Sequence, residues 1–136
     1  MGIRRRGREA ALQMLYQMEM SAIGAEQAIA LFWDHLGSGR EGEEFANILV
    51  RGVQEDTAHI DEIIRGVSQH WRLERMTRVD RNILRLATFE LLGVPDVPKR
   101  VTLNEAVELA KRYGSDGSSG FVNGVLDRIA SELGKE

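Results

Sequence analysis

Four arginines stand within five positions near the amino terminus, in the run Arg4-Arg5-Arg6-Gly7-Arg8. A guanidinium group binds phosphate oxygens bidentately and stacks on nucleobases, which a lysine ammonium does poorly. If this segment is helical, Arg4 and Arg8 share a face, and the helix dipole disfavours positive charge at its N-terminus. A bound polyanion would offset that cost. The cluster therefore indicates a nucleic-acid contact, while a solvated basic tail and an acidic protein partner are open alternatives.

A second basic series lies further along the chain, between residues 72 and 85. Its arginines recur every three or four positions and are opposed only by Glu74 and Asp80. The members are Arg72, Arg75, Arg78, Arg81 and Arg85. Because some of them should pair with acidic neighbours inside the fold, we expect half or fewer to contact a ligand.

Three aromatic side chains have the chemistry to stack on bases, namely Tyr16, Tyr113 and Phe121. Core packing is the alternative for each of them. It is favoured for Tyr16, which follows Leu15 on an apolar stripe. Phe121 directly follows a Ser-Ser-Gly sequence, and we expect it at the surface.

The residues that catalysis or metal binding would require are missing. The chain has no cysteine, which excludes disulfides, thiolate metal sites and a cysteine nucleophile. Its histidines, His35, His59 and His70, lie apart and match no metal-binding spacing. Acidic pairs such as Asp61-Glu62 are typical of solvated helix faces. The sequence therefore predicts a protein that is not an enzyme and that has no catalytic residue, metal or cofactor.

The net charge of −3 hides an uneven distribution along the chain. Residues 1–20 carry a net charge of +2, residues 21–70 carry −6 and residues 71–136 carry +1. This asymmetry indicates two faces that meet different partners. The acidic middle either meets a basic protein or keeps the chain soluble, and solubility is slightly favoured. No apolar run approaches the ~20 residues that span a bilayer, and no signal peptide is evident. We therefore expect no membrane contact and a cytoplasmic location.

Apolar residues recur at helical spacing through nearly the whole chain of 136 residues. Strand-like alternation is absent, so we predict an all-α fold, a compact bundle of about seven helices. Their expected bounds are 4–20, 25–36, 43–54, 57–70, 78–93, 102–113 and 118–133. The helix at 78–93 has the widest apolar arc and is placed at the centre. We treat 1–136 as one domain, with subdomains 1–56 and 57–136 as an alternative.

Helix ends and core-facing stripes can be predicted as well. Thr102 and Glu105 fit a capping box that starts the sixth helix, and Gly114 suits a left-handed stop at its end. Thr77, three residues before Asp80, is a weaker start for the fifth helix. The expected stripes are Phe45, Ile48, Leu49 and Val53 in the third helix and Ile60, Ile63, Ile64, Val67 and Trp71 in the fourth.

Several segments together resemble the NusB family of transcription antitermination factors. The first is the opening run from Arg4 to Gln17. The others follow in the family's order: Trp71–Met76 (WRLERM), Val79–Leu86 (VDRNILRL), Glu90-Leu91, Val101–Lys111 (VTLNEAVELAK) and Phe121–Asp127 (FVNGVLD). Because these blocks match in order and span nearly the whole chain, the resemblance is specific, which the arginine cluster alone would not be.

The resemblance implies a seven-helix protein that pairs with NusE, a small-subunit ribosomal protein. Such a pair binds boxA, a short single-stranded RNA element in leaders such as those of ribosomal RNA operons, and helps RNA polymerase pass terminators. The residues implied to contact RNA are Arg4, Arg5, Arg6, Arg8 and Phe121. Tyr16 and Asp80 match family positions near the NusE and RNA contacts. Self-association as a homodimer is a further state of such proteins.

The loop before the FVNG motif departs from the family pattern. The family often places two adjacent acidic residues there, followed by Ser and a basic residue, whereas this chain reads Ser115-Asp116-Gly117-Ser118-Ser119-Gly120. Two other functions are alternatives to antitermination. One is an RNA-binding helper of an rRNA methyltransferase system, because the same helical fold is found fused to rRNA cytosine methyltransferases. The other is a helical adaptor whose arginines bind an acidic protein.

Overall fold

The computed structural model describes residues 2–35, 39–68 and 71–135, which form α-helices and no strand. The helices are α1 (Ile3–Ser21), α2 (Ala25–Asp34), α3 (Glu43–Glu55), α4 (Thr57–Val67), α5 (Arg78–Gly93), α6 (Lys99–Tyr113) and α7 (Ser118–Glu132). A 3₁₀ turn, Leu73–Arg75, lies between α4 and α5. The prediction of an all-α fold of about seven helices is confirmed. The chain divides into two compact units, Met1–Glu55 with α1 to α3 and Asp56–Glu136 with α4 to α7.

In the first unit, α1 packs against both α2 and α3. Its core consists mainly of Ala11, Met14, Leu15, Ala28, Ala46, Leu49 and Val50. Two hydrogen bonds tie α2 to α3: Trp33 Nε1 donates to Asn47 Oδ1 at 2.9 Å, and Ala25 N donates to Gln54 Oε1 at 2.6 Å. Because α1 is packed along α3, the arginines at its beginning stand on a supported helix.

In the second unit, α5 packs against α4, α6 and α7 and is its central helix, as its wide apolar arc predicted. The core contains Ile60, Ile64, Ile83, Leu84, Val122, Leu126 and Ile129. Burying one such side chain contributes about 1.5–3 kcal/mol relative to leaving it exposed. Helix α5 begins as predicted, since Asp80 N donates to Thr77 Oγ1 at 3.1 Å.

A largely buried ion pair joins α4 to α5. Arg85 Nε lies 2.7 Å from Asp61 Oδ1, and Arg85 Nη2 lies 2.9 Å from Asp61 Oδ2. The two side chains are only 16% and 11% exposed. The expectation that Asp61 belongs to a solvated face is therefore wrong. Periodicity did not reveal that an arginine on α5 stands opposite this carboxylate and compensates its charge.

The predicted capping box at Thr102 is also wrong. Helix α6 begins at Lys99 with Pro98 as its N-cap, so Thr102 lies inside the helix. Its side chain is buried, and its hydroxyl donates to Glu90 Oε1 at 3.3 Å. The Thr-x-x-Glu pattern does not show whether the threonine caps a helix or, as here, donates a hydrogen bond to a buried carboxylate.

Gly114 ends α6 without adopting the predicted left-handed conformation. Its φ of −87° and ψ of −167° are extended backbone. A Cβ at this position would lie 2.6 Å from Ala110 O and 2.6 Å from Ser118 Oγ. Glycine is therefore required here by the close approach of its neighbours and not by the sign of φ.

Two expected core positions lie outside the core. Helix α4 ends at Val67, so Trp71 does not continue its stripe, and the indole is 60% exposed. Ile48 on α3 is exposed as well. Helix α2 ends at Asp34. The predicted helix ends at 36 and 70, together with His70, fall outside the described residues.

We expect Asp61→Ala to lower the free energy of unfolding by about 3 kcal/mol, because it leaves the largely buried Arg85 cation without its carboxylate. Urea denaturation followed by circular dichroism measures this change. Glu26→Ala is a matched control, since Arg51 binds Glu26 with the same two distances, 2.7 and 2.9 Å, in an exposed pair. The control should lose much less stability. Equal losses in the two variants would contradict the role of burial.

Candidate nucleic-acid interface

The amino-terminal arginines form the first turn of α1. This helix starts behind Gly2, makes no side-chain cap hydrogen bond there and carries no acidic residue in its first turn. Arg4, Arg5 and Arg6 are exposed, and these three side chains are termed the arginine ridge. Their charges add to the positive end of the helix dipole. The ridge is thus a cluster of like charges that a bound anion would stabilise.

Two of the N-terminal arginines contact one aromatic ring on α3. The guanidinium carbons of Arg4 and Arg8 lie 4.8 and 5.2 Å from the ring centroid of Phe45, within cation–π range. The two arginines therefore share a face, as predicted. Arg8, however, is only 3% exposed. This side chain is packed against Phe45, and its contact with RNA stays a prediction.

A weak ion pair lies beside the ridge. Arg6 Nε and Glu41 Oε2 are 3.6 Å apart, and both side chains are more than half exposed. Exposed pairs of this kind contribute little and are screened by salt. Arg6 therefore keeps its charge available to a stronger anionic ligand.

Two glycines bring the backbone of α1 into contact with the segment that precedes α3. A Cβ on Gly7 would lie 3.0 Å from Gly42 O, and a Cβ on Gly42 would lie 2.6 Å from both Gly7 N and Ile3 O. Gly42 also has a φ of +82°, a conformation that other residues rarely adopt. This close approach places the arginines within reach of Phe45.

A separate candidate site lies in the second unit, in a cavity of ≈ 320 Å³. This aromatic cavity is lined by Trp71, Arg75, Asp80, Phe121 and the loop 115–118. The Trp71 and Phe121 rings meet edge to face, with centroids 5.8 Å apart and an interplanar angle of 75°. Exposed aromatic rings with a nearby cation are the elements that proteins use to stack nucleobases.

Asp80 supplies a polar atom at the wall of this cavity. The Thr77 cap fixes the first turn of α5, on which Asp80 stands. The residue is buried, and its Oδ1 has no hydrogen-bond partner among the described residues. Leaving a buried acceptor unpaired costs free energy. A donor brought by a ligand would satisfy it.

Two arginines of the basic series between residues 72 and 85 bind other groups within the second unit. Arg81 Nη1 donates to Leu73 O and Met76 O, both at 3.4 Å. Arg85 is held by Asp61. The exposed members are Arg72, Arg75 and Arg78.

Glu74 lies within this series in the sequence, but it pairs with an arginine outside the series, on α4. Arg65 Nη2 donates to Glu74 Oε1 at 2.8 Å. This hydrogen bond is the main reason that the pKa of Glu74 lies below its usual value and that the pKa of Arg65 lies above it. The stability that this ion pair contributes is fully present above the unfolded-state pKa of Glu74 and is lost as the pH falls through the lower folded-state pKa.

Within the described residues, no three or more His, Cys, Asp or Glu are grouped in a way that could hold a metal ion. In the same part of the chain, no helix combines the length and the apolar character that crossing a membrane requires.

The family of the chain follows from comparison with known proteins. The model of the NusB family matches residues 5–131. The transcription antitermination protein NusB of Sorangium cellulosum is 56% identical over 135 residues, covering 99% of this chain and 96% of that protein. The chain belongs to the NusB family. The resemblance stated from the sequence is thereby confirmed.

Solved NusB structures share the fold of this family member. The structure of T. maritima NusB matches with a TM-score of 0.84 and 43% identity, covering 95% of this chain and 91% of that one. A crystal structure of antitermination factors NusB and NusE in complex with dsRNA matches with a TM-score of 0.85 and 26% identity, covering 96% and 97%.

The residues that the NusB resemblance singled out lie in both units. The arginine ridge and Tyr16 belong to the first unit, whereas Asp80 and Phe121 line the aromatic cavity of the second. Phe121 is half-buried. Tyr16 is 41% exposed, so the core packing favoured for it is wrong. It lies on the solvent side of α1 because Leu15, its neighbour, takes the core-facing position.

Sequence reasoning missed Phe45 and Trp71 as parts of the candidate sites. Both were assigned to apolar stripes. The spacing that defines such a stripe does not show whether arginines contact the ring of Phe45. Trp71 had a usable signal, because it is followed by Arg72 and Arg75 beyond the end of the predicted helix. An aromatic residue beside two arginines is typical of a surface that stacks bases.

We expect Gly42→Ala to lower the free energy of unfolding by roughly 2–4 kcal/mol, because the methyl group would clash with Gly7 and Ile3 and the positive φ would be strained. Thermal unfolding measures the loss. Gly39→Ala is the control: Gly39 also has a positive φ, of +73°, but no atom lies within 4 Å of its Cβ position. A loss in the control as large as that of Gly42→Ala would show that backbone strain alone, and not the α1 contact, is responsible.

Proposed function

We propose that this NusB-family protein is a transcription antitermination factor that binds single-stranded boxA-type RNA as a heterodimer with NusE. The pair joins RNA polymerase on nascent transcripts in the cytoplasm and promotes processive transcription of rRNA operons. The protein acts by binding and catalyses no reaction. Two findings support this: relatives at 56% and 48% identity are transcription antitermination proteins, and a structural neighbour is a complex of NusB with NusE and dsRNA.

The observation that carries the proposal is the arginine ridge at the uncapped start of α1. Three exposed guanidinium groups gain most from a ligand that presents several phosphates in a row. Each phosphate neutralised on a single strand contributes roughly −0.7 to the slope of log K against log salt, so three contacts give about −2. Such contacts position the strand without reading its sequence.

The aromatic cavity supplies the contacts that read bases. Phe121 and Trp71 offer ring surfaces for stacking, and Arg75 offers a cation beside them. The unpaired Asp80 carboxylate oxygen accepts a hydrogen bond from a base that carries an amino group or ring N–H. Together these groups favour an unstacked single strand, whose bases are free to enter the cavity.

NusE strengthens the binding of RNA, which the negative net charge of this chain opposes. A net charge of −3 disfavours association with RNA as a whole, so the ridge alone binds weakly. A basic ribosomal protein docked on the acidic residues would reverse that field. The exposed Tyr16 on α1 is a further surface for this partner or for the RNA.

We expect Arg5→Ala combined with Arg6→Ala to weaken binding of a boxA-like RNA about tenfold and to reduce the magnitude of the salt slope by roughly 1.4, because two phosphate contacts are lost. A gel shift and a fluorescence titration, each with and without NusE, measure the effect. The wild-type RNA shift should be strong only when both proteins are present. The unfolding midpoint should not change.

The matched control is Arg51→Ala combined with Arg100→Ala, which removes the same charge from two exposed positions outside the ridge. This control should keep nearly wild-type affinity and slope. Unchanged affinity in the Arg5, Arg6 variant would remove the ridge from the RNA site. Indifference of the wild-type protein to RNA, even with NusE, would instead favour the helical adaptor.

We expect Phe121→Ala to weaken RNA binding about tenfold, since one stacked base contributes about 1–3 kcal/mol. It should leave the salt slope unchanged, because no charge is removed. RNA should also quench the fluorescence of the exposed Trp71, and Trp71→Phe should abolish that quenching. Tyr113→Ala, an exposed aromatic residue that does not line the cavity, is the control. Equal weakening by the Tyr113 variant would move the stacking site away from the cavity.

A further inference from the structure

The ring of Phe45 contacts two arginines, one buried and one exposed. Arg8 is buried against Phe45, whereas Arg4, one turn earlier on α1, is exposed and belongs to the arginine ridge. Both guanidinium carbons lie within 5.2 Å of the ring centroid. Phe45 itself is 9% exposed. The ring thus connects the interior of the first unit to one residue of its basic surface.

This arrangement addresses an electrostatic conflict within α1. Two like charges four residues apart on a helix repel each other, and Arg4 also stands in the first turn of α1, at the positive end of the dipole. The face of an aromatic ring carries partial negative charge and attracts cations without forming a competing ion pair. Phe45 therefore stabilises both cations through its ring face.

Restricting the Arg4 side chain has a consequence for binding. An exposed arginine loses much of its rotamer freedom when it grips a phosphate, and that loss opposes binding. A guanidinium already held over a ring has lost part of this freedom in the unbound protein. Its donors are then oriented before the ligand arrives.

We propose that Phe45 is a positioning residue for RNA binding: its ring, locked in place by the buried Arg8, holds the Arg4 guanidinium in the orientation that meets an RNA phosphate. This inference rests on the proposed function of the ridge. It assigns to α3 a part in RNA binding even though Phe45 is buried, and it assigns to the buried Arg8 the role of holding the ring.

A double-mutant cycle separates this role from ordinary core packing. The variants are Phe45→Leu, Arg4→Ala and the combination, each titrated with a boxA-like RNA in the presence of NusE. We expect Phe45→Leu and Arg4→Ala each to weaken binding roughly threefold to tenfold, and the combination to bind no more weakly than Arg4→Ala alone. Additive losses would show that Phe45 does not act through Arg4 and would overturn the proposal.

The salt dependence supplies a readout that a purely structural effect would not change. Phe45→Leu removes no charge, yet it should reduce the magnitude of the slope by up to roughly 0.7, because Arg4 loses its fixed phosphate contact. Phe45→Tyr keeps the ring face and should restore both affinity and slope. Val53→Ala, a buried change on the same helix, should leave both unchanged at temperatures where the variant is folded. Failure of the tyrosine variant to rescue would count against the ring.

Two further results keep the outcomes distinct. If Arg5→Ala with Arg6→Ala leaves RNA binding unchanged, the proposed function of the ridge fails and this inference fails with it. If that variant binds weakly but Phe45→Leu binds like the wild type, only the positioning role fails.

Should Phe45→Leu not fold, Phe45→Met takes its place, and NMR of the unbound wild-type protein provides an independent check. Absence of a ring-current shift on the Arg4 side-chain protons would overturn the proposal.

Discussion

The close backbone contact between Gly7 and Gly42 is the constraint on which the N-terminal unit depends. A Cβ at Gly42 would clash with α1 and a Cβ at Gly7 would be tightly crowded, so α1 and the segment before α3 approach each other closely. At that separation Arg4 and Arg8 reach the ring of Phe45. The helix dipole and mutual repulsion both oppose a cluster of arginines at this place. The packing of α1 on α3 makes the cluster tolerable while leaving three of its charges at the surface.

Burial decides what each charged group of this protein does. The pairs Arg85–Asp61 and Arg51–Glu26 have the same bidentate geometry, but only the first is shielded from water and ties two helices of a core together. Arg8 and Arg4 share one aromatic contact, yet the buried residue serves packing and the exposed one is available to a ligand. The two ion pairs combine similar residue types, and Arg4 and Arg8 are the same residue type, so residue type does not explain these differences. The surrounding dielectric separates their roles.

Several features could be predicted because they follow from local sequence. Helical periodicity gave the seven helices, and the wide apolar arc of residues 78–93 gave the central helix of the second unit. The Thr77 cap was found because N-capping involves residues three apart in the chain. The errors have a common cause. Thr102, Gly114, Asp61 and Trp71 were each interpreted from their neighbours in sequence, whereas their environment comes from residues on other elements or from where a helix stops.

The sequence by itself determined the fold class, the family and the two places where the candidate RNA-binding residues are concentrated, because periodicity, ordered motifs and residue type are properties of the chain alone. Only the tertiary structure decided which arginines reach solvent, that Phe45 supports two of them, and that Trp71 and Phe121 meet beside an unpaired carboxylate oxygen. Residues 8 and 45 are joined by packing between α1 and α3, and residues 71 and 121 by packing of a loop residue against α7. Such contacts depend on distance in space, which side-chain periodicity along one helix does not specify.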